Sequence, residues 1–219
     1  NSTEVREITI EEATETTPPY INFTAPTPDN RTSTTNTSIE INVSIVENDL
    51  DEVIYNWNGT NYTIYNDSLI LMFNMDNRSE LGESDTYIFD VSGNGNNGTV
   101  SGAVINISGK YGKAFTFDGV DDVISLGSQI ALNSNPYSIS FWLKTDENTQ
   151  NIFGGENVWG THECHIRSSG TVIYRVADSD SDSMYDLESS STVDDDAWHF
   201  ITITRNSGEY EIYLDGIRE

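Results

Sequence analysis

The feature that most constrains this chain is a two-residue alternation of apolar and polar side chains, in short runs bounded by glycine, asparagine or aspartate. In residues 39–45 every second residue is Ile or Val, which is the period of a half-buried β-strand. Tyr137–Leu143 repeats the pattern with aromatic and aliphatic residues. No long segment has the 3.6-residue period of an amphipathic helix. The sequence therefore predicts an all-β fold of packed sheets.

Turn signals divide the chain into three predicted parts. Residues 1–19 are rich in Thr and Glu and end in Pro18-Pro19, which predicts an extended tail. Residues 20–67 hold a few strands and a turn at Asn58-Gly59, which is too few for the roughly seven strands of an immunoglobulin-like sandwich. Residues 68–219 form the third part. Its predicted strands are Leu69–Phe73, Tyr87–Val91, Gly98–Val104, Ala114–Asp118, Val123–Leu126, Tyr137–Thr145, His162–Arg167, Thr171–Val176, Trp198–Arg205 and Glu209–Asp215.

Five motifs follow one another in the third part. They are Leu71-Met-Phe-Asn74, Asp90–Gly98, Gly109–Asp122, Ser138–Lys144, and Trp198-His-Phe200 with Tyr213-Leu-Asp-Gly216. In this order they resemble the laminin-G-like, concanavalin-A-like jelly-roll family, whereas residues 20–67 resemble partial immunoglobulin-like modules of archaeal surface proteins. The resemblance implies a jelly-roll sandwich that continues past Tyr-Leu-Asp-Gly by at least one more strand. We therefore expect strands from beyond Glu219, or from another chain, to complete the jelly roll.

The charge balance excludes some partners. Acidic residues outnumber basic ones 36 to 10, for a net charge of −26. Such a surface repels phosphate backbones and anionic lipid, so nucleic acid is an unexpected partner. No apolar run approaches the ~18 residues of a membrane-spanning helix.

The sequence contains eleven Asn-X-Ser/Thr sequons, all within the first 106 residues. One interpretation is that the chain's polar composition alone produces these sequons by chance. The density favours N-glycosylation, and therefore an extracellular or cell-surface location. The sequon asparagines are Asn1, Asn22, Asn30, Asn36, Asn42, Asn58, Asn61, Asn66, Asn77, Asn97 and Asn106.

The Asp90–Gly98 loop is the strongest metal candidate. Ca²⁺ prefers carboxylate, amide and backbone oxygens in a flexible loop. Asp90, Asn94 and Asn97 supply such oxygens, and the family often holds a structural Ca²⁺ that Asp118 could also reach. The alternative is a turn closed by side-chain hydrogen bonds without a metal.

No catalytic site is predicted. Glu47, Asp49 and Glu52 match the paired-carboxylate pattern of jelly-roll glycosidases, but they lie outside the jelly roll. Among the tryptophans, Trp159 in a loop is the candidate sugar contact. Trp142 and Trp198 are expected to pack between the sheets.

Three functions remain open. The favoured one is a structural subunit of a cell-surface filament, sheath or surface layer. The others are a carbohydrate-binding or adhesion module and an accessory domain of a secreted enzyme. Self-association is predicted through the tail, where Val5, Ile8 and Ile10 could add a strand to another subunit. The alternative is that the chain is a piece of a longer polypeptide.

Overall fold

The computed structural model describes most of the chain, and the regular elements of these described residues are β-strands apart from one 3-10 turn at Ser79–Leu81. The chain divides into two compact units, residues 1–74 with 89–96, and residues 75–88 with 97–219. The predicted all-β class is confirmed. The described residues are 7–9, 19–25, 27–35, 39, 41–47, 50, 52–57, 59–127, 130, 132, 136–154, 162–177 and 184–219.

The part of the first unit that the structure describes contains two small antiparallel sheets. One has the order β1-β4-β5 and the other pairs β2 with β3. β1 pairs with β4 of the same chain, with Ile8 opposite Tyr55. The strands are β1 (Glu7–Thr9), β2 (Tyr20–Thr24), β3 (Asn42–Val46), β4 (Val53–Trp57) and β5 (Thr60–Tyr65).

The β2–β3 ribbon has two chemically different faces. Its register places Asn22 opposite Ser44, and Ile21 opposite Ile45. Because side chains alternate between faces along a strand, the sequon residues Asn22 and Asn42 share one face. Ile21 and Ile45 lie on the other face and are half-buried. The alternation seen in the sequence therefore separates a polar face from an apolar one.

Residues 69–73 do not form the predicted strand, although they lie in the first unit beside the Asp90 loop. Several of their backbone groups bond to side chains of that loop, and the Met72 carbonyl accepts from Val91 N at 2.9 Å. Asn94 Nδ2 donates to the Leu69 carbonyl at 2.7 Å, and Asn96 Nδ2 donates to the Ile70 carbonyl at 2.9 Å. Met72 N donates to Asp90 Oδ1 at 3.1 Å. These side-chain bonds replace the ladder of a sheet.

The described residues of the second unit form thirteen strands, with two four-stranded antiparallel sheets within residues 137–218. The sheet orders are β11-β16-β17-β18 and β12-β13-β14-β15. Smaller sheets have the orders β10-β7-β6 and β8-β9. The strands are β6 (Tyr87–Ile88), β7 (Gly98–Ser101), β8 (Val104–Asn106), β9 (Ala114–Thr116), β10 (Val123–Ser125), β11 (Tyr137–Lys144), β12 (Asn151–Phe153), β13 (His162–Ile166), β14 (Thr171–Ala177), β15 (Met184–Thr192), β16 (Trp198–Asn206), β17 (Glu209–Leu214) and β18 (Ile217–Arg218).

The core of the second unit draws on both four-stranded sheets. Its central side chains, which are almost completely buried, come from β13, β14, β16 and β17 and from Val193, which follows β15. Ile139, Phe141 and Leu143 of β11 pack against it. The buried cluster consists of Cys164, Ile166, Val172, Tyr174, Val193, Ile201, Ile203, Ile212 and Leu214.

Three strands of this unit, β12, β15 and β18, are absent from the sequence prediction. The acidic run Asp178–Asp186 favours a solvated loop by its composition, but β15 begins at Met184 and pairs Asp186 with Arg175. Arg175 Nε lies 2.8 Å from Asp186 Oδ1. An acidic residue is thus accommodated in the sheet because a cross-strand arginine pairs with it.

Candidate functional site

Asp90 is fully buried, and its carboxylate accepts three backbone hydrogen bonds. Oδ1 accepts from Met72 N at 3.1 Å and Ser92 N at 3.0 Å, and Oδ2 accepts from Asn96 N at 2.9 Å. Burial alone raises the pKa of this carboxyl, but the hydrogen bonds outweigh burial and lower the pKa. The geometry is that of a turn closed by its own hydrogen bonds.

The other three predicted metal ligands have different surroundings. Asn94 uses its amide to bond the Leu69 and Ile70 carbonyls, at 2.7 and 3.2 Å. Asn97 and Asp118 belong to the second unit. There, the carboxylates of Asp118, Asp121 and Asp122 lie within 4.8 Å of one another. Ca²⁺ binding by Asp90, Asn94, Asn97 and Asp118 stays a prediction.

The sequon asparagines that the structure describes are all exposed or half-buried. Those classed as exposed are Asn22, Asn30, Asn61 and Asn106, and those classed as half-buried are Asn42, Asn66, Asn77 and Asn97. Asn1, Asn36 and Asn58 lie outside the described residues. Glycosylation needs an accessible carboxamide, and this exposure is compatible with it.

Two sequons form compact turns around the asparagine side chain. Asn66 Oδ1 accepts from Ser68 N at 3.0 Å and from Ser68 Oγ at 2.5 Å. Asn106 Oδ1 accepts from Ser108 N at 2.9 Å. In both cases the side-chain oxygen is bound while the sequon stays at the surface of its unit.

The predicted subunit contact is described only in part. Val5 and Ile10 lie outside the described residues, and Ile8 lies in β1, which pairs with β4 of its own chain. In the single chain, one edge of β1 is therefore paired with β4 and not with another subunit. A contact between subunits through Val5, Ile8 and Ile10 stays a prediction.

The tryptophans differ from the sequence interpretation. Trp159 lies outside the described residues. Trp142 alternates with the core-facing Phe141 and Leu143, so it lies on the opposite face of the sheet and not between the sheets. Trp198 is the register partner of Lys144 and shares that outer face. The alternation within Ser138–Lys144 could have revealed this placement.

Trp142 belongs to a group of aromatic and basic side chains on that outer face. Its ring centroid lies 5.0 Å from that of Phe200 and 5.9 Å from that of Tyr111. Lys110 Nζ lies 4.4 Å from the Trp142 ring centroid. This group, Lys110, Tyr111, Trp142 and Phe200, is called the Trp142 platform below. Rings beside a cation can contact the C–H face of a sugar.

His162 and His165 contact different partners. His162 Nδ1 lies 2.6 Å from Tyr174 OH and 3.2 Å from Tyr137 OH. Burial lowers the pKa of His162 and raises the pKa of Tyr137 to about 12. His165 instead lies beside Glu163, with Nδ1 and Oε1 3.1 Å apart. His162 and His165 are three residues apart in β13, so they lie on opposite faces of the strand.

His199 is held between two carboxylates. Nε2 lies 3.0 Å from Asp195 Oδ1, and Nδ1 lies 2.8 Å from Asp215 Oδ2. Burial lowers the pKa of His199, but the two carboxylates outweigh burial and raise it. Both ring nitrogens can donate only in the imidazolium form. The charged ring therefore links the turn before β16 to the turn after β17.

Comparison with known proteins supports the fold of the second unit. Residues 118–219 match the family described as the concanavalin A-like lectin/glucanases superfamily, so the chain contains a concanavalin A-like domain. A similar solved structure is the 2.1 Å crystal structure of residues 221–444 of an S-layer domain-containing protein from Clostridium thermocellum. It is 22% identical, has a TM-score of 0.46, and the match covers 68% of this chain and 69% of that chain. A comparison with curated proteins finds no match. In the part of the chain that is described, no helix has the length and apolar character needed to cross a membrane.

Proposed function

We propose that this chain is a non-catalytic extracellular glycoprotein that serves as a structural subunit of a cell-surface assembly. The observation that supports it best is the surface of the first unit. Its described sequons are exposed or half-buried, and its strands also leave large apolar side chains accessible. A glycan coat suits a permanently exposed surface, and exposed apolar strand residues suit contacts with other subunits.

The proposed contact between subunits uses strand pairing. β5 pairs with β4 on one side and has no other partner among the described residues. Tyr62 and Ile64 on this strand are 52% and 64% exposed. An edge strand with free backbone groups can accept a strand from another chain. The β1 strand of one chain can also pair with the β4 strand of another chain. The register of this pairing can be the same as within one chain.

A cysteine cross-link tests this contact directly. Ile8 and Tyr55 are register partners, so Ile8→Cys and Tyr55→Cys place two thiols at cross-strand distance. When chains carrying Ile8→Cys alone are mixed with chains carrying Tyr55→Cys alone, we expect oxidation to give cross-linked dimers. The native Cys164 is fully buried and does not compete.

The matched control combines Glu7→Cys with Ile54→Cys. Glu7 pairs with Asn56, and Ile54 pairs with Thr9, so these two positions are out of register. We expect little cross-linking between these chains. The proposal is contradicted if the mixed Ile8→Cys and Tyr55→Cys chains stay monomeric while the double variant cross-links within one chain. Absence of periodic assemblies in electron micrographs of native material would also contradict it.

A carbohydrate-binding or adhesion role is the second candidate. The Trp142 platform favours it, because aromatic rings on an accessible sheet face suit stacking on sugars. Binding to a glycan array, with loss on Tyr111→Ala, would support this role. An array without any binder would leave the structural role as the single proposal.

A further inference from the structure

A group of hydroxyl and imidazole side chains joins the two four-stranded sheets of the second unit. Tyr137 lies in β11 of one sheet, whereas His162 and Tyr174 lie in β13 and β14 of the other. Tyr174 is 0% exposed, and the other two side chains are half-buried. Tyr137 OH lies 2.8 Å from Tyr174 OH, which lies 2.6 Å from His162 Nδ1. These three residues, called the His162 link below, form a polar connection between the sheets beside their apolar core.

The partners of the His162 ring decide where its hydrogen lies. Nε2 is 3.3 Å from the Leu132 carbonyl oxygen, which can only accept a hydrogen bond. The neutral ring therefore carries its hydrogen on Nε2, and Nδ1 accepts from Tyr174 OH. Because Tyr174 donates its one hydrogen to the ring, its oxygen accepts from Tyr137 OH. The direction of each hydrogen bond in the link is thus determined by the neutral form of the ring.

A proton on Nδ1 reverses these directions. The imidazolium donates from both nitrogens, so Tyr174 OH must accept from Nδ1 and turn its own hydrogen toward Tyr137. Tyr137 then loses Tyr174 as the acceptor for its hydrogen. A half-buried imidazolium also gives up part of its hydration. Protonation of His162 therefore removes the bonds that connect the two sheets at this point.

The groups that face His162 do not offset an added positive charge. Burial lowers the pKa of His162 most, and the charge of Arg205 lowers it further, whereas the carbonyl contact raises it. Burial raises the pKa of Tyr137 to about 12 and also raises that of Tyr174, so both phenols stay neutral. Among the described residues, the titratable side chains around this link are Tyr137 of β11, Cys164 of β13, Tyr174 of β14, Tyr185 of β15, Arg205 of β16 and Tyr210 of β17.

His199 provides the opposite case at the other end of the same strand pair. In the register of β11 with β16, Tyr137 is the partner of Arg205 at one end, and His199 is the partner of Leu143 near the other. Two carboxylates hold the His199 ring; they outweigh burial and raise its pKa. Mild acid therefore preserves the contacts of His199 and disrupts those of His162.

We propose that the His162 link is an acid-sensitive switch that holds the two sheets together at one end of the second unit. Near neutral pH the link is closed. In mild acid a proton on His162 Nδ1 breaks the bonds to Tyr174 and Tyr137, and this end loosens while the His199 end keeps its ion pairs. The switch does not depend on the strand contacts of the proposed assembly, so either proposal can fail without the other.

Cys164 allows the opening to be measured locally. It is the one cysteine of the sequence, is 0% exposed, and lies two residues from His162 on the same face of β13. The full chain and His162→Gln, which takes up no proton, are labelled with dithiodipyridine from about pH 7 to about pH 5. A group whose pKa is lowered on folding loses its contribution as pH falls below its unfolded value of about 6.5. We therefore expect the labelling rate of the unmodified chain, relative to His162→Gln, to rise by up to about tenfold per pH unit.

Two further variants separate the switch from a general loss of stability. His199→Gln is the matched control at the other end. Because the contribution of His199 is complete below its unfolded pKa, we expect the labelling rate relative to this variant to stay constant below about pH 6.5. Tyr137→Phe keeps the ring and removes the hydroxyl that joins the sheets. We expect it to label about fivefold faster than the unmodified chain at neutral pH, the equivalent of one hydrogen bond.

A measurement on the unmodified chain does not require any variant to fold. Proton NMR of the His162 Cε1–H signal gives the pH midpoint of its titration, and we expect a midpoint below about 6.5. The proposal is overturned by a midpoint at or above that value, by a labelling ratio to His162→Gln that does not change with pH, or by unchanged labelling of Tyr137→Phe. Circular dichroism establishes that each labelled variant is folded.

Discussion

Among the described residues, the two units differ in the number of apolar side chains that they bury. The second unit has a cluster of nine buried residues drawn from two facing sheets. In the first unit, Val53 is the one apolar side chain that is buried among the described residues. The same unit exposes large apolar side chains, namely Tyr20, Phe23, Ile39, Val46, Tyr62, Ile64, Ile70 and Met72.

This contrast shows that strand content and core formation are separate properties. Apolar burial contributes about 25 cal/mol per Å², so the second unit has its own source of stability. The first unit relies more on polar contacts, of which the Asp90 carboxylate is the best buried. It also contains eight of the eleven sequons. A unit with a small core and many sequons suits a surface that glycans and neighbouring subunits cover.

The largest expected effect is loss of core packing in the second unit. Ile203 is 0% exposed and Val53 is 4% exposed, so both truncations remove buried methyl groups. We expect Ile203→Ala to lower the free energy of unfolding by about 2–5 kcal/mol and Val53→Ala by about 1–2 kcal/mol. Urea unfolding followed by circular dichroism measures both. An equal or larger loss for Val53→Ala would contradict the comparison.

Asp90→Ala tests the polar support of the first unit. It leaves the Met72, Ser92 and Asn96 N–H groups without their acceptor, which we expect to cost about 3 kcal/mol. Asp67→Ala, an exposed position in the same unit, is the control and is expected to change little. Because the pKa of Asp90 is lowered in the folded chain, its contribution is present at neutral pH and is lost as pH falls through that pKa. A pH-independent loss between neutral and strongly acid solution would contradict this.

Calcium distinguishes the two interpretations of the Asp90 loop. If the predicted site of Asp90, Asn94, Asn97 and Asp118 binds Ca²⁺, the folded state gains roughly 2.7 kcal/mol at a hundredfold excess over Kd. The melting temperature should then rise in millimolar Ca²⁺ and fall in chelator. An identical melting temperature in both solutions removes the metal site and leaves the turn closed by its own hydrogen bonds.

The smallest effect is expected at His199 in the second unit. Its pKa is raised in the folded chain, so its contribution is fully present below the unfolded pKa of about 6.5. That contribution is lost as pH rises through the folded pKa. As pH rises from the unfolded pKa through the folded pKa of His199, we expect the melting temperature of the unmodified chain to fall relative to that of His199→Gln. A constant difference between the two chains at all pH values would show that His199 does not act through its charge.

The sequence predicted the all-β class and most strands of the second unit, because alternation in Tyr137–Lys144 and Trp198–Asn206 follows directly from burial on one face. It failed at residues 69–73, where apolar residues resemble a strand but Asn94 and Asn96 take the backbone carbonyls. It also failed at Met184–Asp186, where a cross-strand arginine offsets the acidic charge. Side-chain partners distant in sequence decide such cases, and the local pattern does not contain them.

The candidate sites were less predictable for the same reason. The corner formed by Tyr111 and Trp142 joins residues 31 positions apart through a turn anchored on Asp76. The sequence identified the exposed sequons because an N-X-S/T pattern is local. The sequence also indicated Trp159 as the sugar contact, because the residues next to it in the chain are typical of a loop. The alternation that places Trp142 outside the core was visible, but its position within a strand motif favoured packing between the sheets.

The central claim is that the first unit forms a glycosylated cell-surface region. Intact-glycopeptide mass spectrometry of the native protein tests it most directly. We expect glycans on several sequons of that unit, beginning with the exposed Asn22, Asn30 and Asn61. Peptides from residues 108–219, which contain no sequon, are the internal control for unmodified sequence. Unmodified asparagine at every sequon peptide of the native protein would contradict the account.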